Sequence, residues 1–353
     1  MKSPIISTIK IVAVVSVLTG LGVTGYWAYS RLPGILNELV LQRAKEVTPA
    51  GEEVIVTIPK GASLSQVGTI LQAKGIISSR LLFKLVAMIR GEQRKIKAGD
   101  YALKTGSDTG DVLDQLISGK TLVISLTVPE GYNMFQVADL FQHAGIMPRN
   151  DFLHVARDPV FLKELGVEGT SVEGYLFPDT YFLRPSEISD GKLIIRKMVQ
   201  RFHEVYDKYA RAKAEEKGWT TLQVVTLASL IEKEAKPSEH ALVSAVFHNR
   251  LRHNMRLQSD PTVIYGIKPM GSKITREDLN RKQPYNTYQI LGLPPGPIAN
   301  PGKESLIGAV NPADVDYLYF VAKNDGSHQF SSSLQEHNRW VNLYQRQSHP
   351  VIR

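Results

Sequence analysis

At 353 residues with 43% hydrophobic side chains, the chain is long enough for two packed domains and too apolar to be mainly disordered. A formal charge of +8 favours anionic partners, but the densest basic cluster before residue 100, Arg90 to Lys97, holds no aromatic side chain on which a base would stack, which argues against nucleic acid. The absence of cysteine suits a chain that works outside the cytoplasm and avoids stray oxidation, and equally a chain that needs no disulfides, so it excludes little else.

The first predicted element is a membrane anchor. Ile11 to Tyr29 carries no charge and ends in Tyr26, Trp27 and Tyr29, an interfacial aromatic cluster. Nineteen helical residues span about 30 Å, the thickness of a bilayer core. Lys2 and Lys10 place the N-terminus in the cytoplasm and the rest of the chain outside, although Arg31, Arg43 and Lys45 weaken the contrast. A cleaved signal peptide is the competing reading, but the run exceeds a usual apolar core and no clean small-x-small site follows it. The predicted divisions are a cytoplasmic tip and anchor over 1–30, a tether over 31–52, a small domain over 53–128 and a larger one over 129–345.

In the small domain, Glu53 to Pro59 alternates as a strand. Ser63 to Lys74 reads as a helix opened by the capping series Ser-Leu-Ser-Gln and stopped at Gly75, and Ser79 to Arg90 as a second helix. Strands are predicted at Gly99 to Leu103 and Leu122 to Val128, with a helix from Gly110 to Ser118 between them. Two helical patterns are predicted between Asn133 and Glu164, and one long amphipathic helix from Gly191 to Lys217. The chain then carries a helix from Thr221 broken at Pro237, and another from Ser238 through His253. Past Pro261 it becomes turn-rich, and Pro294 to Gly302 is expected to form rigid loops walling a groove, before a helix at Lys303 to Ala309 and a strand at Tyr317 to Ala322. The predicted fold class is α+β.

The most telling stretch is Leu227-Ala-Ser-Leu-Ile-Glu-Lys-Glu234. Val224, Leu227, Ile231 and Glu234 recur at spacings of 3 or 4, so a helix would carry Glu234 on its interior face while Glu232 points elsewhere. A carboxyl group partly desolvated by Leu and Ile keeps its proton to higher pH, the condition for general-acid work. The plain alternative is that Glu-Lys-Glu is a solvated helix end.

That stretch, with Arg256 to Gly266, Gln283 to Tyr288, Gly292 to Gly302, Glu173 to Tyr181, Tyr317 to Val321 and Gly326 to Phe330, resembles the MltG (YceG-like) endolytic murein transglycosylases of the bacterial envelope. The resemblance implies that Glu234 is catalytic and that the small domain is LysM-like, a spacer being the alternative. It also implies peptidoglycan glycan strands as substrate, membrane lipid around the anchor, peptidoglycan synthases as candidate partners, and no cofactor. Such enzymes cleave between N-acetylmuramic acid and N-acetylglucosamine without water, leaving a 1,6-anhydro ring. Gln258, Asp260, Asn286, Thr287 and Tyr288 lie in the family-like motifs as candidate substrate-binding groups, and Glu173 as a candidate cleft residue. Asp260 before Pro261 is equally a turn or cap, and Asn286 a turn former.

Glu232, Glu239 and Asp260 are possible second acids, so the residues alone leave an ordinary muramidase open. A non-enzymatic wall-binding scaffold is the rival from another class. No metal site is expected, since His240, His248 and His253 are separated by eight and five residues, never one helical turn. There is no Gly-x-Ser-x-Gly elbow, Walker loop or dinucleotide glycine signature.

Overall fold

The computed structural model describes Glu38, residues 51–323 and residues 325–346. The expected anchor and nearly all of the tether lie outside them. Among the described residues no helix is long and apolar enough to cross a membrane. The chain divides into two compact units, one running to Ile124 and including Arg184–Ser186, the other holding Ser125–Leu183 and the residues from Glu187 onward. Both mix helices with small two-stranded sheets, so the class is α+β.

In the first unit, β1 (Glu53–Ile58) points Val56 and Ile58 inward and its alternate residues outward, the period-2 pattern of a half-buried strand. Helix α1 (Leu64–Ala73) starts where Ser63 and Gln66 exchange hydrogen bonds with each other's backbone N–H groups, and α2 (Arg80–Ile89) starts on the Ser79 side chain. Strand β2 (Gly99–Lys104) runs antiparallel to β1 with Val56 opposite Tyr101. The Asp108 carboxylate opens α3 (Thr109–Ser118), which ends at Gly119 in the left-handed conformation. Val67, Leu71, Phe83, Val86, Leu103 and Leu113 meet in one core.

Strand β3 (Ile124–Thr127) leads from the last residue of the first unit into the second and is shorter than the predicted 122–128; the Leu122 N–H donates to the Asp100 carbonyl at 2.7 Å within the first unit. Three helices follow instead of two: α4 (Met134–His143), α5 (Arg149–Val155) and α6 (Pro159–Glu164). The extra break comes from Asp158, which caps α6 just ahead of Pro159. Strand β4 (Thr180–Leu183) pairs with β3. The long helix predicted from 191 to 217 is two, α7 (Gly191–Tyr209) and α8 (Arg211–Glu216). At the break Ala210 leaves helical geometry, and the change of direction keeps both Ala210 and Ala214 in the core.

Helix α9 (Thr221–Glu234) is the axis of this unit, capped by the Thr220 and Gln223 box. The predicted stripe of Val224, Leu227 and Ile231 is buried, but so are Val225, Ala228 and Leu230, because α9 is wrapped on most sides. It packs on α10 (His240–Arg252), which a 3-10 turn at Pro237–Glu239 precedes, on the short α11 (Asp260–Ile264) and on α13 (Lys303–Val310); the five-residue α12 (Arg276–Asn280) lies between the last two in sequence. Strands β5 (Tyr319–Ala322) and β6 (His328–Ser331) form an antiparallel pair, and α14 (Leu334–Val341) follows.

The Pro294 to Gly302 segment departs from expectation. Ile298, Ala299 and Asn300 are fully buried, so this segment is core rather than groove wall. Its Asn300 side chain accepts from the N–H groups of Gly174 and Leu176 at 2.9 and 3.0 Å and donates to the Tyr132 carbonyl at 2.7 Å. Gly174 sits at φ +84°, and a Cβ there would meet Pro297 and Val225 at 2.6 Å, so only glycine permits this approach.

Candidate active site

Glu234 is the last residue of α9, where the helix ends and Ala235 turns extended. A cleft of about 370 Å³ opens at that point. Gln258 and Asp260 reach it from the start of α11, Tyr288 from the loop after α12, Arg250 from α10, and Phe320 and His328 from the β5–β6 pair. Residues far apart in sequence thus converge on one carboxyl group.

Ser259 donates its hydroxyl proton to Glu234 Oε1. That hydroxyl is held by a buried frame. The Ser259 N–H donates to Thr287 Oγ1 at 2.9 Å, the Ser259 carbonyl accepts from Thr262 Oγ1 at 2.6 Å, and the two threonine hydroxyls lie 2.8 Å apart. Gln258, one residue earlier, takes φ +51°, an uncommon conformation for a side chain of its size. The Gln258 N–H donates to the Thr287 carbonyl at 3.2 Å, which helps to hold it there.

Burial is the main reason the Glu234 carboxyl is pushed up to about 7, and the neighbouring Asp260 charge adds to the rise; the Ser259 hydrogen bond and the Arg250 cation pull the other way. Arg250 is itself buried, donating to the carbonyls of Leu257 and Leu318 at 2.7 Å and lying over the Tyr319 ring. Tyr288 donates to Asp260 Oδ1 at 2.6 Å, and burial followed by that carboxylate raises its phenol above the ordinary range. Asp260 therefore offers a second carboxylate in the cleft, ordered by a phenol.

The other acids go elsewhere. Glu232 Oε2 accepts from the Gly302 N–H at 3.0 Å and the Ser305 hydroxyl at 2.6 Å, which ties α9 to the start of α13. Glu239 accepts from the His328 N–H at 3.0 Å and pairs with His328 Nδ1 at 2.8 Å, which orients that imidazole beside the cleft.

Three expected site residues, Glu173, Asn286 and Thr287, are buried and do not line the cleft. Glu173 is only 1% exposed, and its carboxyl accepts the Met134 N–H and, at 2.8 Å, the Tyr265 hydroxyl. Burial drives it up to about 7 as well, but no substrate could reach it. Asn286 is fully buried, donating to the carbonyls of Asp278, Leu279 and Arg281 and accepting from the Tyr288 N–H at 3.0 Å. Asn286 therefore shapes the loop that presents Tyr288, and Thr287 supports Ser259. Conversely, Ser259, Arg250 and His328 were not singled out in the sequence. Ser259 lies between two chosen residues and His328 inside a motif already quoted, but nothing local says which way either side chain points.

These features define an α+β protein with a proton-holding carboxyl group at the mouth of a polar cleft. The YceG-like family profile matches residues 56–343, and the chain belongs to that family. It is 34% identical over 310 residues to an endolytic murein transglycosylase of Bacillus subtilis (strain 168), a match covering 82% of this chain and 84% of that protein. It is 31% identical over 350 residues to the protein of the same name from Streptococcus pneumoniae serotype 2 (strain D39), covering 90% of this chain but only 62% of the relative. A crystal structure of a yceG-like protein from Listeria monocytogenes matches with a TM-score of 0.57 at 34% identity, over 82% of this chain and all of that one.

Because the Ser259 hydrogen bond favours the Glu234 carboxylate, its removal should raise that pKa from about 7 to a higher value. In Ser259→Ala the alkaline limb of the pH–rate profile, which reports loss of the acid's proton, is expected to move to higher pH, with a lower maximum because the carboxyl is less firmly aimed. An alkaline limb that stays in place would show that Ser259 does not act through Glu234.

Proposed function

We propose that this chain is an endolytic murein transglycosylase with Glu234 as its single catalytic acid and base. The observation that carries the reading is a carboxyl group with a pKa near 7, fixed by Ser259 in a cleft of polar side chains. The names of the relatives agree with it. Neutral Glu234 gives its proton to the glycosidic oxygen as the bond from C1 of N-acetylmuramic acid to that oxygen breaks. The muramyl C6 oxygen bonds to C1, and its proton passes to the Glu234 carboxylate. The acid is regenerated, no water is consumed, and one product ends in a 1,6-anhydro ring. Gln258, Asp260 and Tyr288 are placed to bind acetamido or hydroxyl groups, and the Asp260 charge to offset the developing oxocarbenium ion.

The muramidase reading keeps one specific support, the second carboxylate of Asp260 in the same cleft. Digestion of uncrosslinked glycan in H2(18)O separates the two. Early fragments of several disaccharides with anhydro ends and no heavy oxygen are expected; labelled reducing ends would make the enzyme a hydrolase, and single disaccharides would rule out endolytic cutting.

Three further parts of the reading rest on sequence and on the first unit. Ile11 to Tyr29 serves as a single-pass anchor in the cytoplasmic membrane, with the rest of the chain outside. The first unit is a LysM-like glycan-binding module, for which a cleft of about 450 Å³ beside β1 and α1, edged by Lys60, Gln66 and Thr69, offers room. An enzyme held there would meet new strands near the membrane and end their elongation, in company with peptidoglycan synthases.

A further inference from the structure

Helix α2 is apolar on two faces. Phe83, Val86 and Ala87 fill the core of the first unit. On the outer face Leu81, Leu85 and Met88, spaced by 4 and 3, are 64%, 39% and 54% exposed. Three adjacent large apolar side chains left in water on one short helix are an unpartnered surface rather than scattered exceptions. Lys84 stands on the same ridge, Arg80 one turn before it, and Arg94 just beyond the helix end; all three are exposed, and none forms an ion pair with another described residue.

We propose that this face of α2 docks on a bilayer surface that carries anionic headgroups. Leucine and methionine side chains framed by lysine and arginine are the composition of a helix lying in the headgroup region, where apolar tips enter the acyl boundary and cations meet phosphates. A second copy of the chain is a poor occupant, because a two-fold contact would set Arg80, Lys84 and Arg94 against the same cations. The proposal rests on the anchor reading for one point only. If Ile11 to Tyr29 spans the membrane, residues 30–52 can extend no more than about 80 Å, so α2 is never far from lipid. Docking would then hold the first unit down on the membrane instead of leaving it to swing on a tether.

The sequence has no cysteine, so a single thiol can be placed at will. Full-length Leu85→Cys, and separately Met88→Cys, would be labelled with a polarity-sensitive fluorophore and reconstituted in phosphatidylcholine vesicles with or without phosphatidylglycerol. A matched label at exposed Val160 of the second unit serves as the control. The expected result is quenching by nitroxide-bearing lipid at 85 and 88 but not at 160, only with phosphatidylglycerol present, and weakened by salt. Each basic residue near an anionic surface contributes about fivefold, so Arg80→Ser with Lys84→Ser should lower the docked-to-free ratio by about 25-fold. Resistance of the chain to alkaline carbonate extraction reads the anchor separately. Carbonate resistance with unquenched labels overturns the docking, as does equal quenching without phosphatidylglycerol, or quenching that requires a second protein. Quenching in a chain that carbonate extracts would refute the anchor and leave the docking standing.

Discussion

Glu234→Gln is expected to abolish glycan cleavage while the protein folds as before. The amide keeps the size of the side chain and can still accept the Ser259 hydrogen bond, but it has no proton to give. Loss of one general acid or base role costs about 100-fold to 10,000-fold, and here both roles fall on one group, so the loss should exceed that range. The same substitution should change stability in a pH-dependent way whose sign follows from the raised pKa. Below pH 4.5 the carboxyl is neutral folded and unfolded. Between 4.5 and about 7 the unfolded chain ionises while the folded one holds its proton, so stability falls as pH rises; above 7 the full cost, roughly 3 kcal/mol at most, is present. Denaturant unfolding should therefore find Glu234→Gln more stable than the parent at pH 8, with the gap closing towards pH 4.5. Glu232→Gln, whose partners are Gly302 and Ser305, should retain activity. Normal cleavage by Glu234→Gln together with loss in Glu232→Gln would mean that the other carboxylate is the catalyst.

Glu173→Ala is expected to do the reverse, with a large loss of stability that precedes any loss of chemistry. It strips the acceptor from the Met134 N–H and the Tyr265 hydroxyl, two donors left buried without a partner at about 1 to 3 kcal/mol each, so a total of about 2 to 6 kcal/mol is expected near pH 5, where the carboxyl it replaces is neutral. Glu173→Gln, which keeps an acceptor oxygen, should lose less, and above pH 7 it also escapes the cost of ionising a buried carboxyl whose pKa is raised to about 7. Urea unfolding measures both, and activity per folded molecule should remain near that of the parent. A Glu173→Ala protein as stable as the parent but inactive would return Glu173 to the cleft and contradict its burial.

The contrast between these two glutamates shows where sequence reading stops. Both lie in stretches that resemble the family's, and both have pKa values raised to about 7. One faces a cleft and the other is sealed under Tyr265, a residue 92 positions away. Likewise the apolar stripe that singled out Glu234 over Glu232 was a weaker guide than it looked, because α9 is buried nearly all round. Glu232 is set apart from the cleft by its bonds to the start of α13, not by facing solvent.

What the sequence determined by itself was local. Capping residues such as Ser63 with Gln66, and the alternation of β1, act within a few residues, so these elements and their starts are legible. Membership of the family was legible too, because the motifs stand in order along the chain. Where an expectation failed, a long-range contact had overruled the local pattern: Ala210 and Ala214 turned into the core, and the Pro294 to Gly302 segment was drawn under Gly174 by Asn300. Only the tertiary structure decided that Gln258, Asp260 and Tyr288 meet Glu234 while Asn286 and Glu173 do not. The physical reason is that a side chain's partner across 25 or more residues depends on how whole helices close over one another, and packing of that kind leaves no periodic trace in the sequence around either partner.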